Sequence, residues 1–564
     1  LTHTAPIRLP RLIDASGAPR RRQRQDVAPS PIERIVDAQA RGAWDAVTQL
    51  LEQHWTALLR TSRDTMREVV NALPDAVLED KPRWAAARQY LNFAPDDGRV
   101  RPARFNFEAA QPNDAGELID DLAQYTGQTA HERGRGRFRV AARIAATAIE
   151  AVKQASPAEL KTLRPLLPGL RIQWATSLLF AGEVRAALAE FESAYGDAVE
   201  FDSERMATAA AGSIALIHSI TGDLASARSW LKRQPTALSG RPDRVAVGAP
   251  GFDGGPADAA TVMGVLAAAN LAIDELKVDE ARAWLVRDPG DEIAPEQWAL
   301  RLGVASRLEV LSGDPLAQSL RNRAAVLARP AGLVEDGLNG WALRFSDVGI
   351  RIALNDARGA TEALAVLEAG DSEFHRQAAL IARVWMLVRA DEHVQAVALM
   401  ESVPTEERSL RVSMELLAAA TIIHFRAGAG DRAAELFRTL TTMVGEQGFN
   451  GVLMRFGDED YEALCASSGV RLPVRQVRRA LASAPNANAP AVAPEIRLTE
   501  RERVVLRHLL QSRKLNDIAA AEHVSPNTIK SQLRSLFKKL GVSSRDDAIK
   551  VGRGNPGLWS DVGL

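Results

Sequence analysis

Between Gln39 and Phe437 one local pattern keeps returning: an apolar stretch of helical period, a Gly or Asp turn, and a second stretch opening on small residues. It reads "QARGAWDAVTQLL" (Gln39 to Leu51), "WATSLLFAGEVRAALAEF" (Trp174 to Phe191), "IALIHSITGDLASARSWL" (Ile214 to Leu231), "AANLAIDELKVDEARAWL" (Ala268 to Leu285) and "RLEVLSGDPLAQSL" (Arg307 to Leu320). Weaker copies are "RIALNDARGATEALAVL" (Arg351 to Leu367), "RVWMLVRADEHVQAVAL" (Arg383 to Leu399) and "AATIIHFRAGAGDRAAELF" (Ala419 to Phe437). A single helix pair of this kind cannot bury its apolar stripes, so each unit must stack on its neighbours. Ala187, Ala227, Ala281, Ala363, Ala396 and Ala434 let the paired helices approach closely. The alanines that open the second helices from Trp174 onward recur at about 33 to 54 residues, the range of helix-pair solenoids. Aromatics are few and β-branched alternation is almost absent, so the expected fold class is all-α.

At 564 residues, with 46% hydrophobic and 25% charged side chains, the chain is long enough for two or more well-packed units. No run of about 18 uncharged apolar residues and no basic-apolar-small leader is present, so no membrane partner is expected and a cytoplasmic location is. Cys465 is the single cysteine and reads as a small buried hydrophobe, with neither a disulfide nor a zinc partner. The net charge of −1 conceals an asymmetry: from Ile496 onward thirteen basic face seven acidic side chains, about +6, which leaves about −7 on the rest.

Four segments follow. Residues 1–31, containing "APRRRQRQDVAPSP" (Ala18 to Pro31), combine charge and proline without apolar period and are expected to be a disordered basic tail. Residues 32–482 carry the helical repeats, interrupted by "ALSGRPDRVAVGAPGFDGGPADAA" (Ala237 to Ala260). "ERGRGRFRV" (Glu132 to Val140) reads as a basic loop. Residues 483–495, "SAPNANAPAVAPE", form an Ala/Pro-rich tether. Residues 496–564 are the basic module.

That module opens with "LTERERVVLRHLL", in which Thr499 and Glu502 make a capping box before a run carrying Val504, Val505, Leu509 and Leu510. A short second helix, "NDIAAAEHV" (Asn516 to Val524), is expected with Asn516 as its cap. Ser525 caps a third helix with Pro526 at its first position, and Ser544 with Asp547 caps a fourth, Arg545 to Gly552. At about 100° per residue, Ile529, Leu533, Leu536, Phe537 and Leu540 fall on one stripe of the third helix. Asn527, Lys530, Ser531, Arg534 and Lys538 lie opposite, a row of cations and hydrogen-bonding groups that would fit the DNA major groove.

The run from "LTERERVVLRHLL" through "LNDIAAAEHVSPNTIKSQLRSLFKKLGVSSRDDAI" resembles the LuxR-type helix-turn-helix domain, over roughly Ile496 to Gly552. The resemblance implies double-stranded DNA as partner, base-edge contacts from Lys530, Ser531 and Arg534, and phosphate contacts mainly from Asn527, Thr528, Lys538 and Lys539. It also implies a homodimer on DNA through the fourth helix. Ile529 replaces the family's common valine and Gln532 its common histidine. The repeats resemble degenerate tetratricopeptide-type units, with Trp174, Leu178, Gly182, Ala187 and Phe191 in that family's order. The expected fold is thus a TPR-like solenoid followed by a small four-helix LuxR-type domain. Its concave groove would take a peptide, protein or small-molecule effector, and RNA polymerase is a further partner of such a regulator.

No GxxxxGK[ST], HExxH or GxSxG motif occurs, and the nine histidines are scattered, with His218, His393 and His424 in repeat helices where packing or surface roles are expected. No catalytic or metal-binding residue, no cofactor and no enzymatic activity are therefore expected. The layout resembles the C-terminal half of large MalT-like LuxR regulators without their ATPase. Three readings remain open: an ATPase-free regulator, a fragment of such an ATPase cut at Leu1, and a protein-docking scaffold localised by its DNA-binding domain.

Overall fold

In the computed structural model, residues 29–93, 118–234, 261–288, 290, 295–470, 498–511, 514–540, 542 and 544–554 are described, and every regular element among them is a helix. The tether at 483–495, the insertion at 237–260 and most of the 1–31 tail lie outside the described residues. Pro29, Ser30 and Pro31 are the exception. Ser30 caps helix Pro31–Ala40 and exchanges a capping box with Glu33, so helix begins at Pro31 rather than after it.

The chain divides into two compact units, Leu1–Asn92 and Phe93–Leu564. The first packs helices Pro31–Ala40, Trp44–Thr61, Arg63–Asn71, Asp75–Asp80 and Pro82–Phe93 around Ile35, Val47, Leu51, Met66 and Val70, all fully buried.

All eight expected units are helix–turn–helix pairs. Seven lie in the second unit: Leu167–Ala181 with Val184–Glu200, Glu204–Thr221 with Leu224–Lys232, Val262–Asp274 with Val278–Val286, and Trp298–Ser312 with Pro315–Leu327. Then come Gly337–Ala353 with Ala357–Glu368, Glu373–Arg389 with His393–Glu401, and Leu410–Arg426 with Gly430–Gln447. Seven of the eight turns hold a residue of positive φ: Gly42, Gly182, Gly222 and Gly428, and also Leu276, Asn355 and Asp391. Such a residue lets the outgoing N–H reach back to the last helical carbonyls, as Gly182 does to Leu179 at 2.9 Å. Leu276 is the costly case, since a branched side chain resists this conformation; it is also 5% exposed and belongs to the core. The six alanines chosen for close approach are all buried.

The first helices of successive pairs pack on one another in chain order, from Leu167–Ala181 to Leu410–Arg426. Packing does not stop at neighbours. Helix Glu204–Thr221 also meets Leu410–Arg426, Leu167–Ala181 meets Gly337–Ala353, and Val262–Asp274 meets the 3-10 turn Asn450–Arg455. Every residue of Val262–Asp274 is buried as a result. One apolar cluster accordingly runs from Leu122 to Phe374, and a second joins Leu224, Leu271 and Leu276 to Val412, Phe437 and Leu464. Cys465 is half-buried against that second cluster.

A polar clasp accompanies this closure. Asp274, 1% exposed, accepts from Arg307 Nη2 at 2.5 Å and from Arg411 Nη2 at 2.6 Å. Arg411 also donates to the carbonyls of Ser219 and Ile220 at 2.7 and 2.8 Å and lies over the Phe449 ring. Burial pushes the Asp274 carboxyl up, but the two guanidiniums outweigh it and hold the group below its ordinary range. Gly222 stands where a Cβ would come 2.5 Å from the Arg411 backbone nitrogen, so this approach requires glycine.

The segment Glu132 to Val140 is less a loop than expected. Arg133 lies in helix Leu118–Gly134, is 4% exposed, and is held by Glu296, Gln173 and Ser177. Only Arg135–Arg137 form a turn, because Phe138 is drawn into the core and opens the next helix.

Candidate nucleic-acid interface

Four helices build the C-terminal domain: Glu500–Leu510, Leu515–Ala521, Pro526–Leu540 and Arg545–Gly554. Their core is Val505, Leu506, Leu509, Ile518, Ala519, Ile529, Leu536, Leu540 and Ala548, with Leu533 and Phe537 packed against it. Each start has a local cause. Thr499 and Glu502 form the expected capping box, Ser525 Oγ accepts from Thr528 N at 3.1 Å, and Ser544 Oγ accepts from Asp547 N at 3.0 Å. The second helix departs from expectation: its cap is Lys514, with Asp517 Oδ2 accepting from the Lys514 N–H at 3.2 Å. Asn516 sits inside the first turn, because Leu515 is drawn toward the core. The turn to the third helix passes through His523 at φ 53°, and His508 Nε2 meets Glu522 Oε1 at 2.6 Å, tying the first helix to the end of the second.

On the third helix Asn527, Lys530, Ser531, Arg534 and Lys538 are all exposed, and among the described residues none of their side chains has a hydrogen bond or ion pair. Thr528 is half-buried, its hydroxyl 2.9 Å from Ser525 Oγ. Lys539 is placed differently. Its Nζ donates to Glu502 Oε2 at 2.7 Å, on the side of the helix that faces Glu500–Leu510.

Glu502 is a residue whose importance local pattern understated. Its Oε2 completes the capping box by accepting from Thr499 N at 2.7 Å, and beyond capping its Oε1 accepts from Ser535 Oγ at 2.7 Å. Burial pushes its carboxyl up, but donation from Lys539, Thr499 and Ser535 prevails and lowers its pKa to about 2. The capping box was readable from a three-residue spacing; the partners 33 and 37 residues away were not.

The geometry is that of a helix held on one side and bare on the other, preceded by a shorter helix and a tight turn. Residues 497–551 match the family model described as "Bacterial regulatory proteins, luxR family". The C-terminal domain is a LuxR-family helix-turn-helix domain. A similar stretch occurs in "Transcriptional regulatory protein YdfI" of Bacillus subtilis (strain 168), 40% identical over 57 residues. That stretch is 10% of this chain and 27% of the relative, so the likeness covers the LuxR-type domain and not the helical body. Among the described residues no helix is long and apolar enough to cross a membrane, and no group of three or more His, Cys, Asp or Glu side chains could hold a metal ion.

Proposed function

We propose that the chain is a sequence-specific transcription regulator that binds double-stranded DNA through the third helix of its LuxR-type domain. The bare row of Lys530, Arg534 and Lys538 supports this most, since three exposed cations with no partner among the described residues, backed by a buried stripe, suit a phosphate-lined groove. In this reading Lys530, Ser531 and Arg534 reach base edges while Asn527, Thr528 and Lys538 hold phosphates, and the fourth helix pairs two copies on a two-fold site. The helical repeats, read as a TPR-like body, sense an effector and control the LuxR-type domain, and RNA polymerase is recruited at the promoter in the cytoplasm. The closure between early and late repeats bears on the effector. Helices of early and late repeats meet directly, which favours a peptide or protein partner on an outer surface over a small molecule between them. Mapping of genomic DNA bound by the full chain tests the reading: a shared two-fold motif is expected, and an absence of enriched sites sinks it.

A further inference from the structure

Glu502 is the only charged side chain of the LuxR-type domain buried among the described residues. Both of its oxygens are engaged, and two of its donors, Ser535 and Lys539, sit one turn apart on the third helix. Lys530, Arg534 and Lys538 form a neighbouring row at the same helical spacing; Ser535 and Lys539 are exposed as well, and what sets the row apart is that it has no side-chain partner among the described residues. A lysine that left Glu502 for a DNA phosphate would leave a carboxylate that is 4% exposed with two neutral donors and no countercharge from Lys539, so Lys539 has strong reason to stay.

We propose that Glu502 is a positioning residue for DNA binding: it fixes the rotation of the third helix against the first and withholds Lys539 from phosphate, leaving Lys530, Arg534 and Lys538 as that helix's DNA-facing charge. This rests on the DNA-binding reading above. It departs from the family resemblance, under which Lys539 is a phosphate contact.

Counterion release separates the two roles, because each phosphate neutralised adds about 0.9 to the slope of log Kobs against log salt. The full chain is titrated with a mixed-sequence duplex across a salt series, with thermal melting of each variant to confirm folding. Lys538→Met is expected to reduce the slope by about 0.9. Lys539→Met and Glu502→Gln are expected to weaken binding at every salt concentration without reducing the slope, and Lys539→Arg to restore wild-type affinity. Ser535→Ala, which removes an anchor but no cation, should weaken binding roughly three- to tenfold at unchanged slope, the equivalent of one lost hydrogen bond. A fall of about 0.9 in the slope for Lys539→Met, or wild-type affinity for Ser535→Ala, overturns the positioning role while the DNA-binding reading stands. Failure of the wild-type chain to bind any duplex overturns both.

Discussion

Arg411 in the helical body and Arg534 in the LuxR-type domain are the same side chain put to opposite uses. Arg411 donates to Asp274 and to two backbone carbonyls and is 13% exposed, so its charge is spent on joining chain segments 137 residues apart. Arg534 is exposed and has no side-chain partner among the described residues. The body repeats the first pattern: Arg351 is held by Asp347 and Asp356, Arg455 by Glu415, and Arg133 by Glu296. An arginine held in this way has little left for an anion, whereas a helix that leaves three cations in a row presents a binding face. Lys539 is the instructive intermediate, since it belongs to the DNA-binding domain by sequence but behaves like a body arginine.

The sharpest way to break this contrast is Asp274→Ala. It leaves two partly buried guanidiniums without their shared anion and should destabilise the body by about 3 kcal/mol in denaturant unfolding, with no change in the salt slope of DNA binding. A loss below about 1 kcal/mol would show the clasp to be incidental.

Acid probes the same chemistry in the other domain. The Glu502 carboxyl has its folded pKa depressed to about 2 from an ordinary 4.5, so its contribution to stability is complete above about pH 4.5 and is lost as the pH falls through 2. The whole effect should not exceed about 3 kcal/mol, and Glu502→Gln should abolish it in an acid titration of the LuxR-type domain's stability. An unchanged acid profile in that variant would place the sensitive carboxylate elsewhere.

Smaller again is Arg534→Ala, which should cost about 1–3 kcal/mol in discrimination at one base position while leaving folding stability within about 0.5 kcal/mol. Equal losses for every sequence would reassign Arg534 to the phosphates. The smallest effect is expected at Gly428, whose φ of 78° disfavours a side chain although nothing lies within 4 Å of an added Cβ. Gly428→Ala should therefore cost about 1 kcal/mol, from backbone strain alone. Gly222→Ala should cost more, because there the same strain meets the Arg411 backbone at 2.5 Å.

The eight helix pairs, the capping residues Thr499, Ser525 and Ser544, and the exposed row from Asn527 to Lys538 were legible in the sequence. Each depends on residues within a few positions of one another, and helical period and capping act at that range. The second helix of the LuxR-type domain starts earlier than Asn516, a good cap by type, suggests, because partly buried Leu515 packs against the core. The contacts between early and late repeats left no such trace. No period in the sequence links Gly222 to Arg411, or Asp274 to Arg411, and the spacing of the pairs is equally compatible with an open spiral and a closed one.

Local chemistry by itself therefore determined that the described residues form stacked helix pairs and, near the C-terminal end, a cationic helix, since turn residues, caps and apolar stripes act before any distant contact forms. Tertiary structure alone decided which cations stay available. Whether Arg411 or Lys539 meets water or a buried carboxylate depends on segments that folding brings together from far along the chain. At those places the cost of leaving Asp274 or Glu502 unpaired in the interior selects the partner.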